Sequence, residues 1–204
     1  MNKIIHYFNY SFCEKIKQIY RCSQLYSTDF SIISNNCWGG FIYQYFGLQY
    51  LSPTIGLFIP GNDFVKFCSK IKHYLSFELE FINWNDCRLY PIIKDKKPYP
   101  IAKLDDIEIY FMHYSSVKEA EEKWNRRKKR INPNRILYKL SQREGCSKED
   151  IEKFLSLNLN NKICFSYDKV EGAILVPELK GLVGDEMPII SKYYNVINLI
   201  NNIK

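Results

Sequence analysis

"FSIISNNCWGGFIYQYFG", Phe30 to Gly47, is the stretch whose reading decides the fold. It opens with Phe30-Ser31-Ile32-Ile33, a short apolar run that reads as a buried-type strand. It closes with Phe41-Ile42-Tyr43-Gln44-Tyr45-Phe46, an apolar helix that stops at Gly47, a residue free to take the left-handed conformation at a helix end. Between them lie two asparagines, a Cys–Trp pair and two glycines. Cys37 therefore stands where a strand ends and a helix begins. Free N–H groups and the helix dipole favour a thiolate at such a junction. It is also a place where a small residue packs well.

Outward from that stretch, strand and helix signals alternate. Residues 1–26 read as an irregular amphipathic helical lead-in and 30–202 as an α/β core, with 1–204 forming a single domain. Pro60-Gly61 closes a short apolar run, and Asn62 or Asp63 caps a helix carrying Phe64, Val65, Phe67, Cys68, Ile71 and Leu75 at 3.6-type spacing. Pro91, Pro98 and Pro100 break up residues 87–104 and predict edge strands with a small β-hairpin turning at Asp95-Lys96-Lys97. Ile107 to Met112 is a strong strand that runs into His113. Ser116 and Glu119 form a capping-box pattern for a helix that reaches about Ile131 and ends at Asn132-Pro133. A strand at 135–140, a polar turn, a helix at 148–156, strands at 162–167 and 173–177, a Gly- and acid-rich loop at 181–186 and a helix at 190–202 complete the chain.

This order predicts an α/β fold with a mainly parallel sheet flanked by helices. Ligands of such sheets bind beyond the carboxyl ends of the strands. Four strand ends carry capable groups: Asn35, Asn36 and Cys37; His113; Arg143 and Glu144; and Asp168.

Composition narrows the function classes. The chain has 204 residues, is 46% hydrophobic and carries a net charge of +7, much of it in the run Lys123 to Arg130. A modest basic balance suits an anionic ligand. No recognised nucleic-acid motif accompanies the run, so no nucleic-acid partner is expected. The seven cysteines lie at 13, 22, 37, 68, 87, 146 and 164, and no pair has C-x-x-C spacing. Zinc ribbons and redox dithiols are not indicated, and no metal or cofactor is expected. The apolar start Ile4 to Phe8 is too short for a secretory signal, and no run approaches the ~20 residues of a membrane span. The expectation is a cytoplasmic, non-membrane-spanning protein with free thiols.

Cys37 and His113 lead the candidates, as nucleophile and general base, with Glu144 or Asp168 orienting the imidazole. On that reading the Cys37 pKa falls, and Cys37 alkylates near neutral pH faster than Cys68 or Cys164. Asn35, Asn36 and the amides left uncovered by Gly39 and Gly40 would receive an oxyanion or anion, with Trp38 as a wall. The bland alternative is a packing cysteine beside close-contact glycines. In "KWNRRKKR", at least one of Arg126, Arg127 and Arg130 is expected to face the Cys37 cleft and hold phosphate. Otherwise the run is a solvated face laced with i,i+4 pairs.

"SNNCWGGFIYQYFGLQYLSPTIGLF" and "LDDIEIYFMHYSSVKEAEEKWNRRKKRIN" resemble the DUF1919 family over nearly the whole chain, with weaker likeness at "REGC" and "GLVGDE". Its members are often labelled exopolysaccharide biosynthesis proteins and occur among bacterial capsule genes. The resemblance implies work on a sugar or sugar-phosphate precursor, in association with a membrane polysaccharide assembly. The preferred expectation is an acyl-type transferase with a cysteine nucleophile. Its alternatives are a glycosyl- or phosphoglycosyl-type transferase and a non-catalytic carbohydrate-binding partner that stacks sugars on Trp38, Tyr43, Tyr45 and Tyr50.

Overall fold

The computed structural model describes residues 2–143 and 145–204. A four-stranded, all-parallel sheet runs in the order β1 (Ser31–Ser34), β5 (Ile136–Ser141), β6 (Lys162–Ser166) and β7 (Ile174–Leu175). A smaller antiparallel sheet runs β2 (Glu80–Ile82), β3 (Ile101–Leu104) and β4 (Ile107–Tyr110). The helices are α1 (Asn2–Ser23), α2 (Trp38–Phe46), α3 (Gly61–Ser69), α4 (Ile71–Ser76), α5 (Tyr90–Ile93), α6 (Val117–Lys128), α7 (Lys148–Ser156), α8 (Met187–Ile190) and α9 (Val196–Asn201). The fold is α/β, with helices flanking the parallel sheet.

Side-chain alternation along the strands explains the layering. Ile33, Tyr138, Leu140 and Cys164 point to one face, where Phe64, Phe67, Trp124, Ile151 and Phe154 cover them. Ile32, Leu137 and Phe165 point to the other, under Ile42, Tyr43, Phe46 and Ile200. The period of two sends successive residues to opposite faces, and helices on both sides bury both sets. The first cluster also takes in Ala102, Leu104, Ile107 and Ile109, so one core joins the two sheets.

Several expected elements are placed differently. Ile107 to Met112 does not join the parallel sheet: β4 pairs antiparallel with β3, and Phe58 bridges to Tyr110 on its other side. The hairpin is β3–β4, and residues 87–104 otherwise supply α5, with Pro91 in its first turn where a missing N–H is harmless. The helix expected through Leu75 breaks at Lys70, whose φ of −136° is non-helical. The terminal helix is interrupted between α8 and α9.

The glycines of the loops do packing work. A Cβ on Gly61 would lie 2.8 Å from the Cys146 Cα, a backbone atom that cannot step aside. Gly61→Ala should therefore destabilise the protein by about 1–3 kcal/mol, read as a fall in the urea midpoint at constant m. An unchanged midpoint would show that α3 can slide away from the loop before α7.

Candidate functional site

Three of the four expected strand ends do meet along the parallel sheet, and their polar groups bind mainly to one another. Asn35 is fully buried: its Nδ2 donates to the Ser141 carbonyl at 3.0 Å and its Oδ1 accepts from the Ser141 N–H at 3.0 Å. That two-way clasp ties the end of β1 to the end of β5, so the Asn35 amide does not face a ligand. Asn36 Oδ1 accepts from the Trp38 N–H at 3.2 Å and from Lys139 Nζ at 3.0 Å. Ser34 Oγ accepts from the Gly39 N–H at 3.2 Å. Two amides at the start of α2 are thus capped by the chain itself, and the open anion seat expected there is taken up. Gly39 and Gly40 are required for close approach: a Cβ would come within 3.0 Å of Ile32 Cγ2 on the first and 3.2 Å of Ile55 Cγ2 on the second.

Beneath this junction lies an ion pair that the sequence reading did not single out. Lys139, in the middle of β5, has no exposure, and Glu186, just before α8, has 4%. Lys139 Nζ bonds Glu186 Oε1, and Ser141 Oγ donates to the same oxygen at 3.1 Å. Arg143 Nη1 stands 3.6 Å from Glu186 Oε2, while Nη2 donates to the carbonyls of Leu182 and Gly184 and so fixes the loop before α8. The Trp38 and Phe165 rings flank the ammonium, with centroids at 5.8 and 5.9 Å. Glu186 Oε2 is buried and has no hydrogen-bond partner. A buried carboxylate oxygen without a hydrogen-bond donor is costly, and here the Arg143 charge at 3.6 Å offsets part of that cost.

That oxygen belongs to a residue lining a cleft of about 390 Å³. Asn36, Cys37, Arg143 and Glu186 line its polar side. Phe58, Leu89, Ile93, Tyr99 and Leu182 are among its apolar walls, and His113 lines it beside Met112. Cys37 and His113 therefore share one cleft, although His113 comes from the antiparallel sheet. The roof, residues 84–99, is tied down by Arg88, which bonds the buried carboxylates of Asp63 and Glu108. Tyr110 donates to Glu108 at 2.5 Å, so this second acidic pair is fully engaged in structure.

The other expected groups fall elsewhere. Asp168 accepts from Gln142 Nε2 at 2.8 Å and is not in the cleft lining, so it does not orient His113. Glu144 lies outside the described residues. Arg126, Arg127 and Arg130 do not line the cleft. Arg127 is buried: it donates to the Tyr114 hydroxyl at 2.6 Å, and its guanidinium lies 4.9 Å from the centroid of the Tyr50 ring. Trp38 lines the cleft, as expected of a wall, although it is almost fully buried and its Nε1 donates to the Tyr194 hydroxyl at 2.8 Å; Tyr43 is buried outside the cleft lining and offers no sugar-stacking face.

The electrostatics of Cys37 run against a resting thiolate. Burial pushes the thiol up to about 11, and the carboxylates of Glu186 and Asp185 add to the rise against the pull of Lys139. Burial also pulls the Lys139 ammonium down, against the attraction of Glu186. Burial pushes Glu186 up, but Lys139, Asn36 and Arg143 outweigh it and hold the carboxyl below its ordinary value. Glu186 is therefore an ionised acceptor at neutral pH. Among the described residues no cluster of His, Cys, Asp and Glu is arranged to hold a metal ion, and no helix is long and apolar enough to cross a membrane.

The family model described as a domain of unknown function, DUF1919, matches residues 8–200. The chain belongs to the DUF1919 family. An uncharacterized protein of Haemophilus influenzae is 34% identical over 137 residues, which are 67% of this chain and 61% of that protein's length. The DUF1919 match contains every element that builds the cleft, from β1 through α8.

One signal for the ion pair lay within this DUF1919 sequence. Lys139 is a lone charge inside "ILYKLS", a strand that a parallel sheet buries on both faces, so it demanded a buried partner. Glu186 ends "GLVGDE", and nothing local shows that this acid folds back under β5 rather than facing water.

Proposed function

We propose that this DUF1919 domain transfers an acyl-type group to a hydroxyl of a sugar precursor of bacterial surface polysaccharide. The observation that carries the reading is the buried, ionised carboxylate of cleft-lining Glu186, one oxygen of which accepts no hydrogen bond and stands 3.6 Å from Arg143 Nη1. A sugar hydroxyl is the donor that this oxygen lacks. His113 lines the same cleft and takes the proton of a second, attacking hydroxyl of the sugar. The hydroxyl oxygen attacks the carbonyl carbon of a thioester donor. The new C–O bond forms, the C–S bond breaks, and the proton leaves with the thiolate. Apolar walls suit an acyl group, whereas the phosphate reading has lost Arg126, Arg127 and Arg130 from the cleft and the Trp38 and Gly39 amides to capping. The surface-polysaccharide substrate class comes from the family resemblance.

A second reading keeps Cys37 as a covalent acyl carrier, favoured by its place beside His113 in one cleft. Its thiol rests protonated, so that route needs His113 to remove the proton before attack. Cys37→Ser separates the two: direct transfer survives it.

The test is made in the producing cell. In cells that keep the variant at the wild-type soluble level, Glu186→Gln should lower the ester content of the surface polysaccharide at least tenfold, as the loss of a hydrogen bond to a charged group implies, and leave the sugar backbone intact by NMR. Loss of the backbone itself would move the reading to glycosyl transfer. An unaltered, fully esterified polysaccharide would end it.

A further inference from the structure

The cleft is asymmetric in a way that acetyl transfer does not need. Its floor is polar, at Asn36, Arg143 and Glu186. Phe58, Leu89 and Ile93 line the cleft too, together with large apolar groups that stand in water, Ile92 53% exposed, Met112 38% and Val183 88%, and with the exposed charges of Lys96 and Asp185. Isolated apolar residues on a surface mean little, but here they are contiguous with an apolar trough. At about 390 Å³ the cleft has the size that buries a whole small molecule, far beyond a two-carbon group. A hydroxylated head at Glu186 would leave its attached chain lying along these walls.

Resting on the acyl-transfer reading, we propose that the transferred acyl group carries an alkyl chain of several carbons, held in the trough between α5, Met112 and the loop before α8. The cleft therefore recognises an amphiphile: a sugar head at Glu186 joined to an alkyl tail. Phe58, Leu89 and Ile93 line the inner tail, and Ile92, Met112 and Val183 cover its outer end. The roof is set for this because Arg88 anchors it to Asp63 and Glu108 independently of any ligand.

Alkyl β-D-glucosides mimic the joined head and tail, and their binding needs no turnover. Titration calorimetry with methyl, butyl and hexyl glucoside, all below micelle formation, reads the tail directly. Affinity should rise about threefold to fourfold per methylene added in the trough. Ile92→Ser with Met112→Ser should flatten that rise, and because both residues are exposed the variant should keep the wild-type urea midpoint. Glu186→Gln should weaken all three glucosides alike. Affinity independent of chain length would overturn the alkyl-chain proposal and leave transfer of a small acyl group standing. A rise unaffected by the double variant would place the tail elsewhere and also overturn it. If wild-type glucoside affinity did not depend on chain length and the double variant abolished sedimentation with phosphatidylglycerol vesicles, the mouth would be a membrane contact and the proposal would fall. Failure of acyl transfer itself shows separately, as unchanged ester content in the Glu186→Gln polysaccharide.

Discussion

Lys139→Met should cost the fold about 3–5 kcal/mol, the penalty for leaving one member of a buried ion pair uncompensated. Methionine fits the space of the lysine stem, so the loss comes from charge and not from a cavity. Glu186 would keep its burial and lose the ammonium that, with Asn36 and Arg143, holds it ionised. Arg143 at 3.6 Å is too distant to replace it. Urea unfolding followed by tryptophan fluorescence suits the measurement, because Trp38 lies against the ammonium. The double variant Lys139→Met with Glu186→Leu should recover most of the loss, since well-packed apolar residues often replace a buried pair without penalty. A single variant within 1 kcal/mol of wild type would mean that Glu186 reaches water and that the pair is not buried in solution.

The same pair sets a pH signature. In the wild type the Glu186 pKa is depressed in the fold, so its contribution is present above the ordinary value of 4.5 and is lost as pH falls through the lower folded value. In Lys139→Met burial wins and the folded pKa lies above the unfolded one. That carboxyl then stabilises the fold below its unfolded pKa, as a neutral acid, and the contribution is lost as pH rises through the folded value. The gap between the two proteins should therefore close in acid and widen toward neutral pH.

What was legible in the sequence was what short-range physics determines. Apolar runs and their spacing placed β1, α2, β5, α7 and β6. Ser116 caps α6 as its position before the helical pattern requires, accepting from the Glu119 N–H at 3.2 Å, although the Glu119 carboxylate bonds Ser115 and not the cap itself. The rule that ligands sit beyond parallel strand ends led to Cys37 and Arg143, which line the cleft. It failed for Asp168, because a neighbouring glutamine on the same sheet edge takes that carboxylate. Long-range pairings had no local signature. A basic run reads as a phosphate site until Tyr114, 13 residues away, is seen to accept from Arg127. Asn35, two residues before a cysteine, reads as an oxyanion donor until Ser141, 106 residues away, engages both ends of its amide.

Cys37 should alkylate far more slowly at neutral pH than a strand-to-helix junction leads one to expect. With a pKa of about 11, roughly one thiol in ~10⁴ is ionised at pH 7, against about 3% of a free thiol at ~8.5. The deficit in thiolate is about 300-fold. A more basic thiolate is intrinsically more nucleophilic, which returns about tenfold with a Brønsted slope of 0.4–0.5. Iodoacetamide labelling at pH 7 should therefore run about 20- to 30-fold slower than for a cysteine in an unstructured peptide, before any loss through restricted access. Read by peptide mass from pH 5 to 9, the rate should still climb about tenfold per unit at the upper end, with no plateau. His113→Ala should leave the profile in place, because the thiol is held up by burial, Glu186 and Asp185. Glu186→Gln removes one of those causes and should shift the profile toward lower pH, coupling the thiol to the carboxylate across the cleft. A plateau near pH 7 in the wild type, abolished by His113→Ala, would refute this account. It would restore the thiolate–imidazolium pair and make Cys37, not the sugar hydroxyl, the first nucleophile in the cleft.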